Sequence, residues 1–235
     1  MTGKLAFVAT TGLIGAVVFL TLGIGLSGRD WSDGRQLWGA MPSTCGSGVS
    51  TGQQVILPFV ASDDLTIDLP ASVRYQPGDK AEAVVSGDPA LLDHVRMEGG
   101  KLSLDCDPGW SAPRLEVALN GPAITHWKLR GNVDLSLAQI DQRELQLNIR
   151  GSSRVTATGT TDAVGLNISG SGDAELKSLI AQSAQIEIRG NGKVQVTAQS
   201  DADVSISGNG FIELFGHPKL RRSEIRGNGR VVQVP

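Results

Sequence analysis

Two glutamates in the C-terminal half of the chain are the best candidates for acid–base chemistry. Glu175 and Glu213 each lie five residues after a glycine that recurs through this half of the chain. If the recurring segments stack as β-strands, two turns separate these carboxylates by about 9–10 Å, with Asp173 nearby. That separation is at the upper edge of the range used by inverting glycosidases. The pair suggests a glycan-cleaving enzyme, although solvated strand residues would give the same pattern.

Arginine directly precedes four of the recurring glycines and serine precedes the other two. The four are Arg130, Arg150, Arg189 and Arg226. When stacked, this row forms a basic stripe about 24 Å long, which suits an anionic envelope polymer. The alternative is that the arginines pair with the neighbouring acidic residues Glu187 and Glu224.

The two cysteines of the chain, Cys45 and Cys106, favour a disulfide in an oxidising compartment, with two free thiols as the alternative. Neither has a second ligand at Cys-x-x-Cys spacing, which argues against a metal site. The histidines His94, His126 and His217 are isolated in the sequence. We therefore predict no catalytic residue, no metal and no cofactor.

The composition argues against nucleic-acid binding. The chain carries a formal net charge of −3 and 4 % aromatic residues, so it has neither a general basic character nor an aromatic platform for stacking bases. The Gly-Asn-Gly segments resemble nucleotide-binding glycines only superficially, because they recur in successive repeats and no βαβ unit follows them.

The recurring glycine predicts the architecture that positions all of these residues. It returns at intervals of 18 to 20 residues, at Gly131, Gly151, Gly170, Gly190, Gly208 and Gly227. Apolar residues stand two and four positions before it and polar residues stand between them, as in a half-buried strand. Asn or Ser follows it, and a second alternating strand comes next. We predict a parallel β-solenoid; Asn-Gly hairpins in an antiparallel meander are the alternative.

A row of charges three residues after the glycine supports stacking in register. It reads Asp134, Arg154, Asp173 and Lys193, alternating in sign. Stacked strands lie about 4.8 Å apart, so these side chains would form a surface ladder of ion pairs. Chance patterning on a solvated face is the alternative.

The N-terminal segment, residues 1–27, is predicted to be a membrane anchor or a signal peptide. Residues 5–26 carry no charge, and as a helix they would reach about 33 Å, enough to cross a hydrocarbon core. Residues 28–53 are rich in Gly and Ser and read as a flexible tether. The rest of the chain would then face the bacterial periplasm, or be secreted if the segment is cleaved.

We divide the remaining chain at the first regular repeat. Residues 54–128 are predicted to form the first coils or cap of the solenoid, and residues 129–235 its regular rungs. A single helical turn is expected after Asp88, a good N-cap that is followed by Pro89. The predicted early strands are Val55–Val60, Leu65–Leu69, Val73–Gln76, Ala81–Ser86, Lys101–Cys106 and Leu115–Leu119.

Several segments resemble one bacterial family. They are Leu65–Leu69, the Val84–Asp88 segment followed by Leu91-Leu92-Asp93, Gly99–Leu102, and the Ile-Ser-Gly-Ser-Gly-Asp and Ile-Arg-Gly-Asn-Gly-Lys corners. The chain is similar over Val55–Val234 to the domain of unknown function 2807 family, an adhesin head GIN domain. The resemblance implies a right-handed β-helix-like fold in exported envelope proteins and brings no catalytic residues. One departure is the first corner, 129–133, which lacks the usual second glycine.

Together these features predict a non-enzymatic, exported cell-envelope protein that is adhesin-like or acts as a scaffold or polymer-binding solenoid. Its partner would be an envelope polysaccharide or another envelope protein. One alternative is a self-assembling, filament-like protein that forms homo-oligomers through its C-terminal rung, because Val231–Pro235 provides no visible cap. The other is the glycan-cleaving enzyme based on Glu175 and Glu213.

Overall fold

The computed structural model describes residues 44–45, 54–60, 62–109 and 112–234, and these are almost entirely extended. The chain divides into two units, residues 1–41 and 42–235, and every described residue belongs to the second. The predicted anchor or signal segment and most of the tether lie outside the described residues. In the described part of the chain, no helix is both long enough and apolar enough to span a bilayer.

One short helix and eleven strands make up the described structure. The elements are β1 (Gln54–Pro58), β2 (Asp64–Asp68), β3 (Ala71–Pro77), β4 (Glu82–Ser86), α1 (Pro89–Leu92), β5 (Val95–Glu98), β6 (Lys101–Leu104), β7 (Leu115–Gly121), β8 (His126–Gly131), β9 (Val133–Phe215), β10 (Lys219–Gly227) and β11 (Arg230–Val234). The helix begins as predicted, because the Asp88 carboxylate accepts a hydrogen bond from the Ala90 amide at 2.9 Å. Strand β5 was not predicted.

The all-β prediction is confirmed, but the sheet is mixed rather than wholly parallel. Its strands follow the order β1-β4-β7-β3-β9-β8-β2-β6-β5, and β10 and β11 both pair with β9. The antiparallel pairs are β1–β4, β4–β7 and β5–β6, all near the beginning of the chain. Every pair that involves β8, β9, β10 or β11 is parallel.

Within the repeat, the chain returns to the same register on each turn. Gly131 lies opposite Gly151 in the β8–β9 pair, and Gly227 lies opposite Gly208 in the β10–β9 pair. Both pairs are parallel, so the alternative of Asn-Gly hairpins is wrong for these segments. The 83 residues of β9 are one extended run that pairs with its own successive turns and with its neighbours.

The corner glycines stack backbone on backbone, which only glycine permits. From Gly151 to Gly227 their φ angles lie between 111° and 124°, in a region that L-residues avoid. A Cβ placed on Gly190 would lie 2.3 Å from the carbonyl oxygen of Gly170. Successive turns can therefore approach to strand spacing at this corner only because no side chain stands between them.

The predicted inward positions form the core. The residues two before each corner glycine, from Leu129 to Ile206, are at most 1 % exposed. The inward residues of the second strand are equally buried: Leu135, Leu137, Val155, Ala157, Ala174, Leu176, Val194, Val196, Ile212 and Leu214. Stacking like residues on like positions thus removes one continuous apolar column per face from water, which is the main stabilising term.

An aromatic pair from β3 and β8 packs within the core. The rings of Tyr75 and Trp127 meet edge to face with centroids 5.1 Å apart. The Tyr75 hydroxyl donates to the Pro122 carbonyl at 2.8 Å, and the Trp127 indole N–H donates to the Ile124 carbonyl at 3.1 Å. Both polar tips are satisfied, so burying these rings leaves no unpaired donor.

Replacing Gly190 by alanine should destabilise the fold more than the same change at Gly131. Both glycines have positive φ, which should cost about 1–3 kcal/mol in each variant. A Cβ on Gly131 meets no atom within 4 Å, whereas on Gly190 it meets backbone, so Gly190→Ala should lose about 1–3 kcal/mol more. Urea unfolding followed by tryptophan fluorescence measures the difference. Equal losses would contradict the backbone stack.

The single tyrosine of the chain provides a pH-dependent readout of the core. Burial raises the pKa of the Tyr75 phenol above its ordinary value, so folding favours the protonated form. Its contribution is complete below about pH 10 and is lost as pH rises through the folded-state value. Phenolate absorbance should therefore appear only above the ordinary pKa and together with unfolding, and Tyr75→Phe should abolish the signal. Ordinary titration of the folded protein would contradict this placement.

Candidate functional site

A polar groove runs along the glycine corner across successive turns. Its volume is about 520 Å³, and Asn or Ser side chains from five turns line it. These residues, which we call the corner row, are Asn132, Ser152, Ser171, Asn191 and Asn209. Each directly follows a corner glycine, so the stacked backbone places the amides and hydroxyls in line.

The charged row three residues after the glycine lines the same groove, and its register agrees with the prediction. Arg154 and Asp173 form an ion pair at 3.5 Å. Asp134 pairs with Arg114, from the loop before β7, instead of with Arg154. Lys193 makes no ion pair with any described residue. The ladder is therefore interrupted, and its last cation faces the groove without a carboxylate partner among the described residues.

Amide groups at the C-terminal end of the groove form a short hydrogen-bonded ladder. The Asn209 side-chain amide donates to Asn191 at 2.9 Å, and that of Asn228 donates to Asn209 at 3.2 Å. Each amide retains further donor and acceptor capacity, because Asn offers two N–H groups and two lone pairs. The ladder fixes the orientation of these amides while leaving hydrogen-bonding capacity directed to the groove.

The four arginines of the predicted stripe lie on the other side of the corner, and all are exposed. Arg130 and Arg150 are direct neighbours in the β8–β9 pair. Arg189 pairs with Glu187, as the alternative interpretation expected, but Glu224 pairs with Arg222 at 2.8 Å rather than with Arg226.

The stripe is therefore only partly neutralised. Arg130 lies 3.8 Å from an Asp68 oxygen. Arg150 and Arg226 form no ion pair with any described residue. Arg130 and Asn132 also line one shared cavity of about 310 Å³, which joins the stripe to the corner row at the first turn.

The two glutamates proposed for acid–base chemistry lie on an open strand face. Gln195, from the turn between them, donates to the Glu213 carboxylate at 2.5 Å, while Glu175 is exposed. Neither residue lines the corner groove or the cavity beside Arg130. The structure thus places them on one face of the sheet without enclosing them.

The structure joins Cys45 to Cys106 by a disulfide, with their Cα atoms 5.1 Å apart. Backbone contacts support the junction: the Thr44 amide donates to the Asp107 carbonyl, and the Asp107 amide donates to the Thr44 hydroxyl, both at 2.8 Å. The bridge closes a 61-residue separation and holds this part of the tether against the domain.

One cluster beside the disulfide escaped the sequence analysis. Nδ1 of His94 lies 2.6 Å from an Asp105 oxygen, and both groups lie within 4.8 Å of the Cys106 sulfur. The sulfur is bonded to Cys45, so it is not available as a thiolate ligand, and Asp105 also pairs with Arg96 at 2.5 Å. The sequence does not reveal this contact, because His94 and Asp105 are eleven residues apart and only the β5–β6 hairpin brings them together.

Arg114 was also missed, because it lies outside the repeat and its contact with Asp134 depends on the fold. It precedes β7 and is out of register with Asp134, whose column continues through Ser72 in β3 to Glu116 in β7. Its guanidinium donates to the Asn132 side chain at 2.7 Å and also pairs with Asp134, so it closes the first end of the groove.

The fold and the groove together define a class of protein: an all-β repeat domain in which rows of polar side chains run across stacked turns. Residues 63–218 match the family described as "Putative auto-transporter adhesin, head GIN domain". The chain belongs to this domain of unknown function 2807 family. Among curated proteins, none matches this chain.

A known crystal structure shows a similar fold. A crystal structure of a "putative adhesin" from Bacteroides fragilis superposes with a TM-score of 0.57 at 16 % identity, covering 77 % of this chain and 96 % of that one. A "putative adhesin" from Parabacteroides merdae has a TM-score of 0.47 at 15 % identity, covering 77 % and 95 %. At 16 % identity the likeness to the Bacteroides fragilis structure concerns the fold alone, and the lower-scoring match adds nothing to it.

Removal of the disulfide should weaken the domain without unfolding it. Disulfides typically contribute about 2–4 kcal/mol, and a span of this length lies near the upper end because the cross-link restricts a long loop of the unfolded chain. Reduction should lower the free energy of unfolding by that amount, and the Cys45→Ser/Cys106→Ser variant should be equally weakened but insensitive to reductant. Modification of the wild type by a thiol reagent without prior reduction would contradict the pairing.

Proposed function

We propose that this protein is a non-enzymatic, adhesin-like component of the bacterial cell envelope that binds an anionic polymer along its glycine corner. Family membership supports an adhesin-like role and a location at the cell surface or envelope. The observation on which the binding site rests is the groove, in which polar groups recur once per turn. A polymer is the kind of ligand whose own repeating groups can match such a row.

Hydrogen-bonding capacity and charge both favour a polar, acidic ligand. The corner row supplies amides and hydroxyls, and Lys193 adds a cation that has no ion-pair partner among the described residues. Around the corner, Arg150 and Arg226 are likewise exposed and form no ion pair with described residues. Guanidinium groups bind carboxylates and phosphates in a fork geometry, so these side chains suit an acidic envelope polysaccharide. Another envelope protein with an acidic surface is the second kind of partner.

The arrangement of the carboxylates favours binding over cleavage. A glycosidase needs an acid and a second carboxylate on opposite sides of one bond, in a site that holds the sugar. Here Glu213 is engaged by Gln195, and Glu175 is exposed on an open face away from the groove. The glycan-cleaving alternative therefore lacks an enclosed site at its two proposed residues.

The finer architecture belongs to the same proposal. We take the fold as a right-handed β-helix-like solenoid in which residues 54–128 form the N-terminal coils or cap and residues 129–235 the regular rungs. Residues 1–27 would act as a membrane anchor or signal peptide and residues 28–53 as the tether. The domain would then face the periplasm, or be secreted after cleavage.

Binding is tested with the full chain in detergent on immobilised acidic and neutral polysaccharides. The acidic polymer should be retained intact and released by salt, because exposed charges are screened. Arg150→Gln/Lys193→Gln, which removes one cation of the stripe and one of the groove, both without an ion-pair partner among the described residues, should weaken retention about tenfold, or about 1.4 kcal/mol. The matched control is Arg74→Gln/Arg143→Gln, which removes the same charge from exposed positions outside the corner.

Three outcomes would overturn the proposal. Equal losses in the two double variants would show general charge attraction rather than a corner site. Equal retention of neutral polymer would remove the role of the arginines. Release of shortened glycan by the wild type but not by Glu175→Gln would establish the enzyme alternative instead.

A further inference from the structure

The exposed apolar side chains lie mainly at the two ends of the stack of turns. Within the described residues, the large hydrophobic side chains with substantial exposure are Ile56, Val60, Ile180, Leu220, Ile225 and Val232. Ile56 and Val60 lie in or just after β1, which ends the sheet on one side. The last three lie in β10 and β11, the final strands. Only Ile180 lies on the side wall.

One inward column of the sheet is apolar at every turn and ends open. It includes Met97 in β5, Leu102 in β6, Ile67 in β2, Leu129 in β8, and then Ile149 and the later corner isoleucines. Ile206 is 1 % exposed, but its neighbour Ile225, beyond which none of the described strands lies, is 43 % exposed. The last member of the column therefore lacks the layer that buries every preceding isoleucine.

A column of outward-facing positions, formed by the strand that follows each corner glycine and by the strands aligned with it, has apolar residues at its two ends. Its register runs from Ile56 in β1 through Val84, Ala118 and Arg74 to Ser136 in β9. At the other extreme, Val232 in β11 lies opposite Glu213. Between Ser136 and Glu213 this position holds polar residues, whereas Ile56 is 55 % and Val232 is 37 % exposed.

The two ends also carry opposite charge. Residues 219–235 contain Lys219, Arg221, Arg222, Arg226 and Arg230 but only Glu224, a formal charge of +4. Residues 79–109, which provide β4, α1, β5 and β6, contain seven acidic and three basic residues, a formal charge of −4. Two basic ends would repel each other, whereas a basic end and an acidic end attract.

We propose that the C-terminal end of one molecule docks on the N-terminal end of a second copy, giving a head-to-tail stack. If the copies are related by translation along the stack, β10 would meet β5 of the next copy in antiparallel pairing. Strand β11 would meet β1 in parallel pairing. Ile225 would then be covered by Met97 of the next copy, and Val232 would lie beside Ile56.

This docking goes beyond the polymer-binding function and leaves the corner groove free. It joins different surfaces of the two molecules, so each added copy presents the same open end and the stack can grow. Edge strands normally resist such pairing through charged side chains, and the cations of β10 and β11 would have that effect towards any partner that is not acidic. The charge pattern thus selects the partner end.

Cysteine cross-linking tests the direction of stacking in the full chain, kept in detergent. A bifunctional maleimide should link the Ile56→Cys/Val232→Cys variant into a ladder of oligomers, because each molecule then carries both halves of the junction. The native cysteines are joined to each other and should not react. Each single variant should remain largely monomeric, as should Ile180→Cys on the side wall.

Charge reversal provides an independent measurement. In the Ile56→Cys/Val232→Cys background, Arg226→Glu/Arg230→Glu should reduce the yield of cross-linked oligomers at least tenfold. Arg74→Glu/Arg143→Glu, an equal change of charge on the side wall, should leave that yield unchanged. Raising the salt concentration should weaken assembly. Efficient dimers from Val232→Cys alone would show tail-to-tail docking, and monomers throughout would show that something else covers the ends. Either result would overturn the proposal, and neither affects the polymer-binding test.

Discussion

The structure depends on direct backbone contact between glycines at one corner of every turn. From Gly151 to Gly227, a Cβ would lie 2.3–2.6 Å from the carbonyl oxygen of the corner glycine one turn earlier. Each turn must therefore return to this point in register, whatever its length. Differences in turn length are taken up elsewhere, as in the final turn, where the register shifts between Leu220 and Arg222. The corner is the fixed line from which all other positions in the repeat are counted.

Because the turns stack in register at the corner, residues at equivalent positions of the repeat form rows of like side chains. Inward positions stack as Ile on Ile and remove one apolar column from water, while the positions beside the glycine stack as amides, hydroxyls and guanidiniums. The groove exists because these polar groups are aligned, with Arg114 closing its first end through Asn132 and Asp134. The stability of the repeat and the alignment of its surface groups therefore share one cause: the spacing that buries the isoleucines also sets the spacing of the polar side chains.

A stack built by repetition has no natural end, and the two ends of this one are different. At the N-terminal end the chain departs from the repeat, because β1, β4 and β5 pair antiparallel and a short helix intervenes. At the C-terminal end the repeat pattern continues into the last strands, where Ser223 replaces an inward apolar residue and arginines surround the edge. The disulfide adds a constraint at the first end, where it holds Cys45 against Cys106.

The sequence by itself determined the repeat, its inward and outward positions and the register of the charged row, because a glycine with fixed neighbours can be counted along the chain. It also indicated the Asp88 cap and the pairing of two cysteines. Only the tertiary structure decided which charges meet: Asp134 with Arg114, Glu224 with Arg222, and His94 with Asp105. It likewise decided that three early pairs, β1–β4, β4–β7 and β5–β6, are antiparallel. Such contacts depend on how segments outside the repeat fold back, and the sequence has no period that predicts which of their residues will meet.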